Sequence, residues 1–110
     1  LIKKDSLKTM LLDWSAELNE KEESWQTLDD FNQSLVLPYL TKKASMRNID
    51  KYSLMKWEEK SKFEINHEDL FNDVEFENHL DNLGWGVVNY DMSLERLQII
   101  VEKIISLTND

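Results

Sequence analysis

Only two glycines and one proline occur in 110 residues, and this scarcity constrains the fold more than any other feature. Tight turns draw on both residues: Gly accepts positive φ at no steric cost, and Pro presets φ near the value a turn needs. A turn-rich β-sandwich or small barrel is therefore excluded. The chain is instead expected to run in helices joined by short connections. Its 41% hydrophobic and 10% aromatic content is that of a folded domain and not of a disordered acidic tail. At this length a core burying roughly 65% of the unfolded surface needs neither metal nor disulfide. The expectation is all-α, a compact bundle of four to six helices forming a single acidic helical domain over residues 1–110.

Hydrophobic spacing places the elements. Leu7, Met10, Leu11, Trp14 and Leu18 follow one helical face, with Asp5 or Ser6 as the cap. Thr27-Leu28-Asp29-Asp30 offers a capping hydroxyl and an acidic first turn for a second helix, which Pro38 should interrupt. Further helices are expected from Pro38 to about Met46 and, weakly amphipathic, from Asp50 to about Lys62. Asn66 suits the cap of the next, and Gly84 stands where a left-handed C-cap residue belongs. Val74 to Glu77 alternates and competes as a short strand, while the β-branched stretch at residues 86–90 reads as a short extended segment. The last helix, Leu94 to Leu107, carries Leu94, Leu97, Ile100, Val101, Ile104 and Ile105 and is expected to anchor the core.

Charge is unevenly distributed. The formal net charge is −9, and Phe63 to Glu95 holds nine acidic residues with no Lys or Arg. The rest of the chain balances, 13 acidic against 13 basic. Asp69, Asp73 and Glu77 are spaced i, i+4, i+8, so on one helix they would share a face. Like charges so placed cost a few tenths of a kcal/mol each. That cost suggests either a solvated face or a surface that meets a basic partner. The candidate partner-binding residues are Glu68, Asp69, Asp73, Glu77 and Asp81, with Trp85 and Tyr90 as aromatic anchors beside them. Trp85 also reads as a plug sealing the bundle, with the exposed anchor as the alternative. Between Lys42 and Lys62, seven basic residues with Tyr52 and Trp57 could stack on bases, but the chain's overall field repels polyanions. Neither nucleic acid nor an anionic membrane is expected as a partner, whereas a homodimer would let the basic block meet an acidic one.

Most chemistry is absent from the sequence. With no Cys there is no thiol nucleophile and no Cys-ligated metal. Gly84 and Gly86 alone cannot build a P-loop, a dinucleotide fingerprint or a nucleophile elbow. His67 and His79, twelve residues apart, do not share a helical face as zinc ligands would, although Glu75 and His79 could hold a divalent ion with Asp73 or Glu68. No catalytic residue, cofactor or metal is assigned. Leu1-Ile2-Lys3-Lys4 has no apolar stretch behind it, so a signal peptide is not expected, and the default location is cytoplasmic.

In size, charge and lack of catalytic residues the chain resembles small acidic helical immunity proteins, antitoxins and inhibitors. The resemblance rests on composition and extends to no motif. It implies a non-catalytic protein that covers the basic cleft of a nuclease toxin, where phosphate-binding charge attracts carboxylates. The alternative is a structural or adaptor subunit of a larger assembly, and an apolar strip left exposed along a helix would favour it. A small enzyme is the third reading.

Overall fold

The structure is a computed structural model that describes residues 2–109 and, for Ile2, the backbone only. Among the described residues 81% are helical and none lies in a strand. Helix α1 spans Ile2–Phe31, a π-helical turn follows at Asn32–Val36, and α2 covers Leu37–Lys43. Helix α3 is the short Met46–Asp50, a 3₁₀ turn occupies His67–Asn72, and α4 spans Val74–Thr108. The chain divides into two compact units, one of residues 1–29 with 84–110 and one of residues 30–83.

The first unit is an antiparallel pair of helices. In α1 the seam positions are Leu7, Met10, Trp14, Glu17, Lys21, Ser24 and Leu28, spaced alternately by three and four and half-buried except for Trp14, which is 38% exposed. In α4 they are Gly86, Tyr90, Ser93, Leu97, Ile100, Ile104 and Leu107, with the same spacing. That alternation is the heptad pattern of a coiled coil, which keeps one seam facing its partner over several turns. Leu28 lies against Gly86, the rings of Trp25 and Tyr90 are 5.7 Å apart, and Arg96 Nε reaches Glu17 Oε2 at 3.1 Å. Numbers fall along α1 as they rise along α4, which fixes the antiparallel sense.

The seam is polar at its middle. Glu17, Lys21 and Ser24 oppose Tyr90 and Ser93; Ser93 is wholly buried and donates its hydroxyl to the Tyr90 carbonyl at 2.6 Å. Arg96 also reaches Glu20 at 3.4 Å, so this side of the hairpin carries a charged row. Polar groups inside an otherwise apolar seam penalise slipped registers, because each slip buries them without partners.

The second unit gathers around Tyr39. Val36, Tyr39 and Ala44 are the buried apolar residues among those described. Tyr39 stacks on Phe76 with ring centroids 6.5 Å apart and meets the His79 edge at 5.0 Å; Phe31 approaches the same histidine at 5.9 Å. Pro38 does not end the helix. Its ring would crowd the carbonyl of residue 34, and the π turn widens the backbone at that point, with the Leu37 N–H bonded to Asn32 O five residues back. Ser45 caps α3 by accepting from the Asn48 N–H at 3.3 Å, and its own N–H donates to His67 Nε2 at 2.9 Å. Asn48 Oδ1 accepts from the Ser61 N–H at 2.8 Å, which ties back the irregular segment after α3.

Several expectations are corrected. The single compact bundle does not form: the chain divides into two units, the first a pair of helices sharing one seam, and the most buried apolar residues among those described lie in the second. Ile100 and Ile104 are on the seam as expected, but only half-buried. The extended segment at residues 86–90 is helical, as is Val74 to Glu77, and Gly84 is an interior helical position with negative φ. Contacts of Gly86 and Tyr90 with α1 outweigh the modest helix reluctance of Val87 and Val88. No helix begins at Thr27, which lies inside α1. Beyond Asp50 the expected helix to Lys62 gives way to turns, and Lys56 takes a positive φ of 49°.

Candidate functional site

The seven expected partner-binding residues fall in both units. Glu68, Asp69, Asp73, Glu77 and Asp81 belong to residues 30–83, whereas Trp85 and Tyr90 belong to the hairpin. Asn66 does cap the segment that carries Glu68 and Asp69, accepting the Glu68 N–H at 3.0 Å. That segment is a 3₁₀ turn ending at Asn72, and Asp73 follows with extended φ and ψ of −107° and 115°. The i, i+4, i+8 stripe of Asp69, Asp73 and Glu77 is therefore not one helical face. A non-helical residue separates the two outer carboxylates into different elements.

Asp73 has internal work. Its Oδ1 accepts from the Glu75 N–H at 3.0 Å and its carbonyl accepts from the Glu77 N–H at 3.2 Å, so it caps the start of α4. Its other carboxylate oxygen accepts the Tyr39 hydroxyl. The Tyr39 bond, followed by the Glu75 N–H, holds the Asp73 carboxyl below its usual range. Burial, and then the carboxylate it binds, push the Tyr39 hydroxyl up to about 12. General acid–base work needs groups poised near the working pH, and this pair is displaced in both directions away from neutrality. Nearby, His79 Nε2 lies 3.1 Å from Glu75 Oε2 one turn back. Among the described residues no group of three or more His, Asp or Glu side chains is placed to hold a metal ion.

In the hairpin the two aromatic candidates part company. Tyr90 points into the seam against Trp25. Trp85 is 62% exposed, which answers the choice between plug and surface ring in favour of the surface. It does not stand alone. Val88, Met92 and Ile99 follow at i+3, i+7 and i+14, all exposed on the back of α4 away from the seam. Asp91, Glu95 and Glu102 run alongside that column, and all three are exposed. Sequence reasoning missed this column because the stretch from Gly86 to Tyr90 was read as extended, which breaks the seven-residue spacing that would have shown it.

A second apolar surface flanks the seam. Leu11, Leu18 and Trp25 on α1 are seven residues apart, as are Val87, Leu94 and Val101 on α4. Each set takes the position one step past the seam on the side opposite Arg96, and apart from the half-buried Leu18 these side chains are 37–54% exposed. Among the described residues no helix is long and apolar enough to cross a membrane. The chain matches no protein family, and no curated protein or solved structure is similar to it.

Proposed function

We propose that this chain is a non-catalytic protein-binding domain that receives a basic protein partner on the back of α4, in the manner of an immunity- or antitoxin-type inhibitor. The observation that carries the reading is the exposed Trp85–Val88–Met92–Ile99 column with Asp91, Glu95 and Glu102 beside it. A large exposed aromatic followed by aliphatic side chains at helical spacing supplies the anchors of a binding hot spot, and a carboxylate border steers a cationic partner towards it. Unlike the carboxylate of Asp73, these three cap no helix. The centre of the interaction thus moves from the acidic segment at Glu64–Asp81 to the helix that follows it.

The test is capture of the partner from source cells with the wild-type chain and with Trp85→Ala and Glu95→Lys/Glu102→Lys variants, followed by binding kinetics on the protein retained. The reading requires a basic partner, faster dissociation for Trp85→Ala, and slower association with weaker salt dependence for the charge reversal. A partner held unchanged by both variants would contradict it. The adaptor-subunit reading has its own support in the strip beside the seam, since an exposed apolar strip of that length is a surface that assembly covers.

A further inference from the structure

We infer that the strip formed by Leu11, Leu18, Trp25, Val87, Leu94 and Val101 is covered by a second copy of this chain, in a twofold antiparallel dimer of hairpins. The first support is symmetry within the strip. A twofold interface pairs one patch with itself, so the patch must be self-complementary about the axis. Each helix contributes three apolar residues spaced by seven, centred on Leu18 and on Leu94. Arg96 bonds both Glu17 and Glu20, so the two central leucines lie within about one turn, roughly 5 Å, of each other along the hairpin. Rotation about an axis through them sets the Trp25 and Val87 end of one copy over the Leu11 and Val101 end of the other. The bulkier end then meets the slimmer one.

Charge is the second support. At one end of the hairpin, residues 3–10 and 103–109 carry four lysines against the single Asp5. At the other, residues 20–29 and 84–95 carry six carboxylates against Lys21. A parallel pairing would stack acid on acid, whereas the antiparallel twofold lays basic end over acidic end at both extremities. Bordering the strip on α1, Lys8 and Asp29 stand ten and eleven residues from Leu18, so each would face the other across the axis. Attraction between the ends thus persists in a molecule whose net charge is −9.

Extent is the third. From Lys8 to Asp29 the strip runs about 30 Å at 1.5 Å per residue, and two helices are about 20 Å wide. That footprint, on the order of 600 Å² before side-chain relief is counted, approaches the roughly 800 Å² per partner of a specific interface. The surface is distinct from the Trp85 column, so a dimer and the proposed partner occupy different faces of α4.

Sedimentation equilibrium of the full chain tests the inference. The wild type should sediment at twice 13.1 kDa at micromolar concentration. Leu94→Lys, on the axis, and Val87→Lys, more exposed and less able to disturb the seam, should each weaken dimerisation at least tenfold while helical circular dichroism is kept. Lys8→Glu should weaken it several-fold, and Lys8→Glu/Asp29→Lys should recover most of that loss. Trp85→Lys should leave the dimer intact. A wild type monomeric at 100 μM overturns the inference. So does a dimer untouched by both Leu94→Lys and Val87→Lys, or one broken by Trp85→Lys. None of these results bears on whether a basic partner binds the Trp85 column.

Discussion

A β-carbon on Gly86 would lie 2.6 Å from Leu28 Cδ1, closer than side-chain carbons approach one another. The hairpin therefore seats the Leu28 side chain in the space of a missing methyl group, at a position where α4 carries no side chain. Two residues earlier, Gly84 has nothing within 4 Å of its would-be β-carbon.

The two glycines should consequently respond in opposite ways. Gly84→Ala should stabilise the chain by about 0.5–1 kcal/mol, the gain of Ala over Gly inside a helix. Gly86→Ala should lose that gain to the clash with Leu28, and Gly86→Leu should be clearly destabilising. Thermal melts of the three variants against wild type decide the matter. Equal behaviour of Gly84→Ala and Gly86→Ala would place Leu28 elsewhere.

Stability should also depend on pH through Tyr39 and Asp73. The Tyr39 hydroxyl is raised in the folded chain to about 12 from an ordinary value of 10.0. The unfolded chain therefore loses this proton first, and the contribution is intact below pH 10.0 and lost as pH climbs towards 12. Asp73 runs the other way. Its carboxyl is lowered from 3.8, so its contribution is intact above that pH and disappears as pH falls through the folded value. Denaturant midpoints from pH 9 to 12 should fall less in Tyr39→Phe than in wild type.

Because Asp73 caps α4 and accepts from Tyr39, Asp73→Ala should cost about 1–3 kcal/mol, a cap and a hydrogen bond together. Reversal to Lys, harmless on a solvated helical face, should be as costly here. Asp69→Ala, at an exposed position of the 3₁₀ turn, should change stability by less than about 0.5 kcal/mol. Urea midpoints for the three variants check the ranking.

Along the seam, Ile100→Ala should cost about 1–2 kcal/mol, below the range for fully buried isoleucine because the side chain is half-buried. Glu102→Ala, exposed on the back of α4, should be near neutral. Indistinguishable melting temperatures for the two would shift the seam to another face of α4.

The helical character of the chain was legible in its lack of Gly and Pro, and the Asn66 cap was read correctly from one side chain and its neighbours. The tertiary consequences were not. Val87 and Val88 argue locally for a strand, whereas the contacts of Leu28 with Gly86 and of Trp25 with Tyr90, which favour the helix, come from α1 and are far off in sequence. Pro38 ordinarily breaks a helix, and no local signal marks the π turn that absorbs it. For the candidate site, the two glycines around Trp85 leave plug and surface ring both compatible with the local sequence, and only the continuation of α4 through them puts the ring on the surface. The role of Asp73 was hidden because Tyr39, its partner, is 34 residues away. Carboxylate spacing alone does not distinguish a surface stripe from a cap.

Every surface assigned above, the Trp85 column and the strip alike, requires α4 to be one helix through Gly84–Tyr90. Backbone ¹³Cα chemical shifts of the isolated chain measure this directly. Uninterrupted helical shifts from Val74 to Thr108, with no break at either glycine, are the predicted result. Extended-type shifts over Gly86 to Tyr90 would contradict the account, because Val87 and Leu94, like Trp85 and Met92, would then no longer share a face.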